Sequence, residues 1–210
     1  LFSHEILQRA IADSLGPAQR RDIHIQIARG LRDPSPGDSR GLVSLALHLL
    51  AAEGAGMDPV ELGSLCDRAG DAANSSFTWE SALRLFEAAL AIVPYFASLD
   101  PTARGWLQCR TARVNGITGS RPRARELYAA AIENLRGSSD FHAWGLAVLG
   151  WERTFTPAGE PIPDDTLERE FSEAAGNDAL DLRVRLLTQR ADALQLARDP
   201  RDEEAARAAV

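Results

Sequence analysis

The chain has 210 residues, 45% of them hydrophobic and 25% charged, with a formal net charge of −7. That composition is ordinary for a folded domain or an extended array, and its acidic balance excludes the broad basic face that nucleic-acid binding requires. It holds no run of ~18 apolar residues for a membrane span and no signal-peptide pattern, which points to the cytoplasm and no membrane partner.

Cys66 and Cys109 stand in no metal-ligand spacing and read as buried thiols of a reducing compartment. The chain begins in mid-pattern without Met, so it reads as a piece of a longer protein.

Residues 1–32 predict two helices around Gly16-Pro17. Ser3 is placed to cap the first, whose stripe is Ile6, Leu7, Ala10, Ile11 and Leu15. Ile23, Ile27 and Leu31 repeat along the second, and Ile25 falls off that stripe. Residues 33–40, with two prolines and a glycine, form a linker. A helix is expected from Leu42 to Glu53, with Leu45, His48, Leu49 and Ala52 on one side, ended by Gly54 and Gly56.

Three later starts share one signal. Asp58-Pro59, Asp100-Pro101 and Asp199-Pro200 each set a capping carboxylate before a proline at the first helical position. The expected helices run over about 59–75, 101–117 and 200–209, with Thr78 capping 79–92 and Ser120 capping 121–136. Ala69, Gly70 and Ala73 offer a small-residue face for close approach, and Phe86, Leu83 and Leu90 alternate with Ala82 and Ala89 to interlock with it. Ala124, Tyr128 and Ala131 repeat the spacing of Ala82, Phe86 and Ala89 at an offset of 42 residues (Ala82 to Ala124). An undecorated repeat needs about 34, and 94–100 takes up the excess. A third pair is expected from Ser139 and from Asp164, and a last one over about 178–197 and 200–209.

These spacings resemble the tetratricopeptide repeat, with Cys66 where that repeat usually has Trp. The resemblance implies an all-α fold over 41–210: a right-handed superhelical stack of helical hairpins, an α-solenoid in which each hairpin buries its apolar face only against neighbours. Phe2, His4, Arg9, Pro17, Arg20, Arg21 and His24, with the later LALHLLAAEG and RAGDAA, resemble a second pattern. It is that of bacterial STAND-class ATPases and large LuxR-type actinobacterial transcriptional regulators. On that likeness 1–32 is the helical end of an upstream winged-helix module, and ATP or ADP is bound by the parent protein. DNA is then read by a domain outside this chain. The chain itself is expected to be a non-catalytic sensory and interaction segment without a cofactor, because no GxxxxGK[ST] loop is present. Alternatives are a free-standing peptide-binding adaptor, or the repeat scaffold of an ATPase linked to a nucleotide cyclase or kinase. A homo-oligomer is a further partner class.

The second resemblance also implies a nucleotide-sensing role for His4, against the bland alternative of a helix-start histidine bonded locally. His24, His48 and His142 lie on separate helices and read as packing or capping residues. Paired acids such as Asp164-Asp165 suit helix first turns. Arg121, Arg123 and Arg125, like Arg183, Arg185 and Arg190, read as solvated faces. In a tetratricopeptide stack the first helix of each hairpin lines the concave groove. That implies groove positions at Ser64, Asp67, Asp71 and Asn74, then Trp106, Cys109 and Arg113, then His142 and Glu152. Such a groove suits a protein or peptide segment or a small inducer, with Trp106 as anchor. The alternative packs Trp106 under 94–100. On the groove reading, Trp106→Ala and Arg113→Ala impair the response with little change in melting temperature.

Overall fold

The computed structural model describes residues 14–31, 34–35, 37–155, 169–170, 173, 180–182, 184–185 and 187–188. All regular structure among them is helical. The chain divides into two compact units, 1–98 and 99–210. The division falls between Ser98 and Leu99.

Unit 1 holds α1 (Pro17–Gly30), α2 (Ser39–Ala51), α3 (Pro59–Ser75), α4 (Trp79–Ala91) and α5 (Val93–Ser98). The Asp-Pro start of α3 behaves as the sequence predicts: the Asp58 carboxylate accepts from Val60 N at 2.8 Å and Glu61 N at 3.2 Å. Asp38 caps α2 by accepting from Gly41 N at 2.8 Å, so that helix begins at Ser39 rather than Leu42. Thr78 does not cap α4. Its hydroxyl donates instead to Ala73 O at 3.0 Å, the same carbonyl that accepts from Thr78 N at 3.0 Å at the end of α3.

The stripe expected on α1 is rotated. Ile23 and Ile27 are 40% and 39% exposed, whereas Ala28 is buried and His24 and Ile25 are half-buried. Arg21, His24, Ile25 and Ala28 have i, i+3, i+4, i+7 spacing, and two of them reach α2 and its end. His24 Nδ1 lies 2.7 Å from His48 Nδ1, and Arg21 Nε donates to Ala52 O at 3.4 Å. One imidazole must donate and the other accept there, so only one proton sits between the rings. Burial, then the neighbouring His24, hold the His48 imidazole below its ordinary 6.5. A base with a depressed folded value stabilises the fold above its unfolded value and loses that contribution as pH falls through the folded one. Chemical denaturation of the chain should therefore show unit 1 weakening as pH falls below about 7, where the unfolded imidazole begins to take up its proton, with the loss removed in His48→Gln. An unchanged midpoint over that fall in the wild type would contradict it.

The core of unit 1 lies among α2, α3 and α4: Leu45, Ala46 and Leu49 from α2, Leu65, Cys66, Ala69 and Ala73 from α3, and Ala82, Leu85, Phe86 and Ala89 from α4. The expected small-on-large contact is present. The fully buried Phe86 ring lies against Gly70, and a Cβ on that glycine would overlap it. The stretch that takes up the excess repeat length carries helix α5. Tyr95 from it is buried against Gly63, and its hydroxyl donates to Asp67 Oδ2 at 2.7 Å.

Unit 2 holds α6 (Pro101–Thr118), α7 (Arg121–Leu135) and α8 (Phe141–Arg153). Asp100 accepts from Ala103 N at 2.8 Å and Asp140 from Ala143 N at 3.0 Å. Ser120, like Thr78, makes no side-chain cap. Gly119, at φ 99°, ends α6 in the left-handed conformation, and Ser120 N donates back to Asn115 O at 2.8 Å. Ile132, Leu135, Trp144, Val148 and Leu182 build the core with Ala131, Ala143 and Ala147. Gln108, Thr111 and Asn115 are buried in α6 but bonded: Asn134 Nδ2 donates to Gln108 Oε1 at 2.8 Å, Thr111 to Leu107 O at 2.8 Å, and Asn115 Nδ2 to Thr111 O at 3.0 Å.

Ala89 and Ala131 have no exposed surface. Ala89→Leu and Ala131→Leu should each cost ~1–3 kcal/mol in urea denaturation, because the packed neighbours must move. A change below a few tenths of a kcal/mol would mean that the helices are loosely packed there.

Candidate functional site

The site is a cavity of about 610 Å³ in unit 2, among α6, α7 and α8. Each helix gives it one stripe. Trp106, Cys109, Arg110, Arg113 and Ile117 come from α6 at i, i+3, i+4, i+7 and i+11. Arg121, Ala124 and Tyr128 come from α7, and Leu146, Leu149, Gly150 and Arg153 from α8. The Tyr128 ring lies directly over Gly150, which has no Cβ to block it.

Four arginines thus line one cavity, and its lining contains no carboxylate. Arg113 and Arg121 are exposed at its edge. Burial pushes the Tyr128 hydroxyl up to about 12, with Cys109 adding to the rise and Arg113 and Arg153 opposing it. Burial likewise pushes the Cys109 thiol up to about 12, against the pull of Arg110. Both groups stay protonated near neutrality, so the tyrosine offers a hydrogen bond and the cysteine offers packing rather than a nucleophile.

The sequence-predicted candidates fall in different settings. Trp106 lines the cavity and packs against the unit 2 core. Its Nε1 donates at 2.9 Å to Asp140 Oδ2, which belongs to the residue capping α8. Within unit 2 the indole is thus held by both the core and a hydrogen bond, so Trp106→Ala removes packing as well as cavity lining. Arg113 lines the cavity and is exposed. Cys109 is buried in the cavity wall. His142 is exposed in the first turn of α8, outside the cavity lining, and Glu152 is only 2% exposed rather than groove-facing.

In unit 1, Asp67, Asp71, Asn74 and Ser64 are half-buried along α3, and the α5 tyrosine occupies the Asp67 carboxylate. His4, Asp164, Asp165, Arg183 and Arg190 lie outside the described residues. Of the three arginines expected on a solvated face, Arg123 pairs with Glu126 at 3.0 Å on the surface. Arg125 lies over the Phe155 ring at 3.8 Å and donates to Thr154 Oγ1 at 3.1 Å. Arg121 turns to the cavity.

Arg110, Arg121, Arg153 and Tyr128 were not singled out as site residues. Among the described residues no group of three or more His, Cys, Asp or Glu side chains could hold a metal ion, and no helix is long and apolar enough to cross a membrane.

Fold and cavity together define an all-helical protein with a ligand-sized, arginine-lined space among three consecutive helices. Comparison with protein-family models, with curated proteins and with solved structures found no match.

Proposed function

We propose that this chain is the sensory segment of a STAND-type transcriptional regulator, and that the α6–α8 cavity is where it reads an inducer or partner. The cavity is the observation that carries the reading: it has the volume and the mixed apolar and cationic lining of a binding site. In this account the helices of the chain continue as a tetratricopeptide-like right-handed solenoid. Support comes from within each unit, where α2 packs on α4 as well as α3, α3 on α5 as well as α4, and α6 on α8 as well as α7. Support comes also from Ala82 and Ala89, whose counterparts Ala124 and Ala131 are equally buried.

The segment does no chemistry of its own in this reading. An ATPase module upstream binds ATP or ADP and switches when the cavity is filled, and a DNA-reading domain supplies the output. His4 would report on the nucleotide. The protein works in the cytoplasm, and a homo-oligomer is compatible with it.

The domain order of the parent gene tests this most simply. A phosphate-binding loop upstream and a helix-turn-helix downstream are expected. Absence of both would leave a free-standing adaptor, and an N-terminal catalytic domain would leave the scaffold of a cyclase or kinase.

A further inference from the structure

We propose that the α6–α8 cavity takes a small organic anion, with an apolar or aromatic body against Tyr128, Trp106 and Leu149 and a carboxylate or phosphate held by Arg113, Arg121 and Arg153. This deepens the sensory reading of the cavity and rests on it.

Charge is the first argument. The chain carries a net −7, yet four arginines and no carboxylate line this one space. Arginines gathered against the sign of the whole molecule focus a positive field where a bound anion would lie. The second argument is geometry. Arg113, Arg121 and Arg153 come from three different helices and line the same cavity, rather than forming a stripe along one helix. Planar guanidinium groups in that arrangement match the oxygens of a carboxylate or phosphate by paired hydrogen bonds.

The rest of the lining sets the body of the ligand. Ile117, Ala124, Leu146 and Leu149 are apolar, and Trp106 and Tyr128 offer ring surface. The lining has no Asn, Gln, Asp or Glu to read the edge of a nucleobase, which disfavours nucleotides. A volume of about 610 Å³ suits a molecule of metabolite size. One acid group on an apolar skeleton satisfies both halves of the site, and Trp106, fixed to Asp140, gives the skeleton a rigid wall.

The test uses the whole 210-residue chain and four probes: pyrenebutyrate, its neutral amide pyrenebutanamide, naphthyl phosphate and naphthoate. Fluorescence titration should show saturable binding of the anions, with the amide weaker than pyrenebutyrate by roughly tenfold or more. Arg113→Gln with Arg121→Gln should weaken the anions by roughly tenfold or more and leave the amide unchanged. Both side chains are exposed, so the fold is retained. Arg123→Gln, on the same helix but paired with Glu126 outside the cavity, should change nothing. If the amide binds as tightly as pyrenebutyrate, recognition of the acid group is overturned while the cavity remains a binding site. Absence of binding by all four probes would overturn the cavity reading itself. Tighter binding of naphthyl phosphate than of naphthoate, which has the same ring system, would assign the acid group as phosphate, and the reverse order as carboxylate. Either order supports the proposal.

Discussion

Phe86→Ala is expected to destabilise unit 1 by about 3–5 kcal/mol. The ring is fully buried and lies against Gly70 on the facing helix, so its removal opens a cavity that neither helix can close by a rotamer change. Its neighbours along α4 on the same face, Ala82 and Ala89, are small and buried and have no side chain that could swing into the space. Gly70→Leu approaches the same contact from the other side, forcing the ring out of its place by overpacking. Urea denaturation followed by circular dichroism would measure both. A cost for Phe86→Ala below about 1 kcal/mol would mean that α3 and α4 do not depend on this interlock.

Trp144→Ala should cost about 3–5 kcal/mol in unit 2. Trp144 is buried in α8 within a cluster that includes Ile132, Leu135 and Val148, and the alanines around it leave the indole as the largest single filler. Because α8 also supplies Leu146, Leu149 and Arg153 to the cavity, loosening it should weaken ligand binding together with stability. Trp144→Phe keeps part of the volume and should lose less of both. Near-native stability of the alanine variant would contradict the packing described. Trp106 is a partial case of the same kind, since its ring packs on that core and its indole nitrogen is bonded to Asp140.

Most of the helices were legible because their starts are local events. An aspartate before a proline caps the next turn whatever lies elsewhere in the chain, and Asp58 and Asp100 do so. Thr78 and Ser120 were misread for a related reason. A hydroxyl can donate as well as accept, and Thr78 uses its proton on the preceding helix. The stripe on α1 was misplaced because apolar spacing alone does not say which face meets a partner. His24 and Arg21 turn toward α2 and its end, and Ile23 and Ile27 stay exposed. The helix over 93–98 was hidden in an apparent insertion, and Tyr95 only shows its role beside Gly63 and Asp67.

The candidate site was half legible for a more general reason. Arg113 and Trp106, which the repeat resemblance assigns to a groove, line this cavity. Arg121 was set aside because Arg121, Arg123 and Arg125 scatter around α7, and taken alone they make no patch. The cavity brings together two arginines from α6 and one each from α7 and α8, and that is a property of packing rather than of any window of sequence. Arg153 carries no signal on its own helix, and the repeat spacing reads Tyr128 as a packing counterpart of Phe86 rather than as cavity lining.

Amide hydrogen exchange of the chain with and without saturating pyrenebutyrate tests the location of the site most directly. The account predicts added protection confined to unit 2, along Trp106–Ile117 of α6, Arg121–Tyr128 of α7 and Leu146–Arg153 of α8, with α1 to α5 unchanged. Protection centred instead on α3 and Asp67–Asn74, or none along α6 to α8, would contradict it.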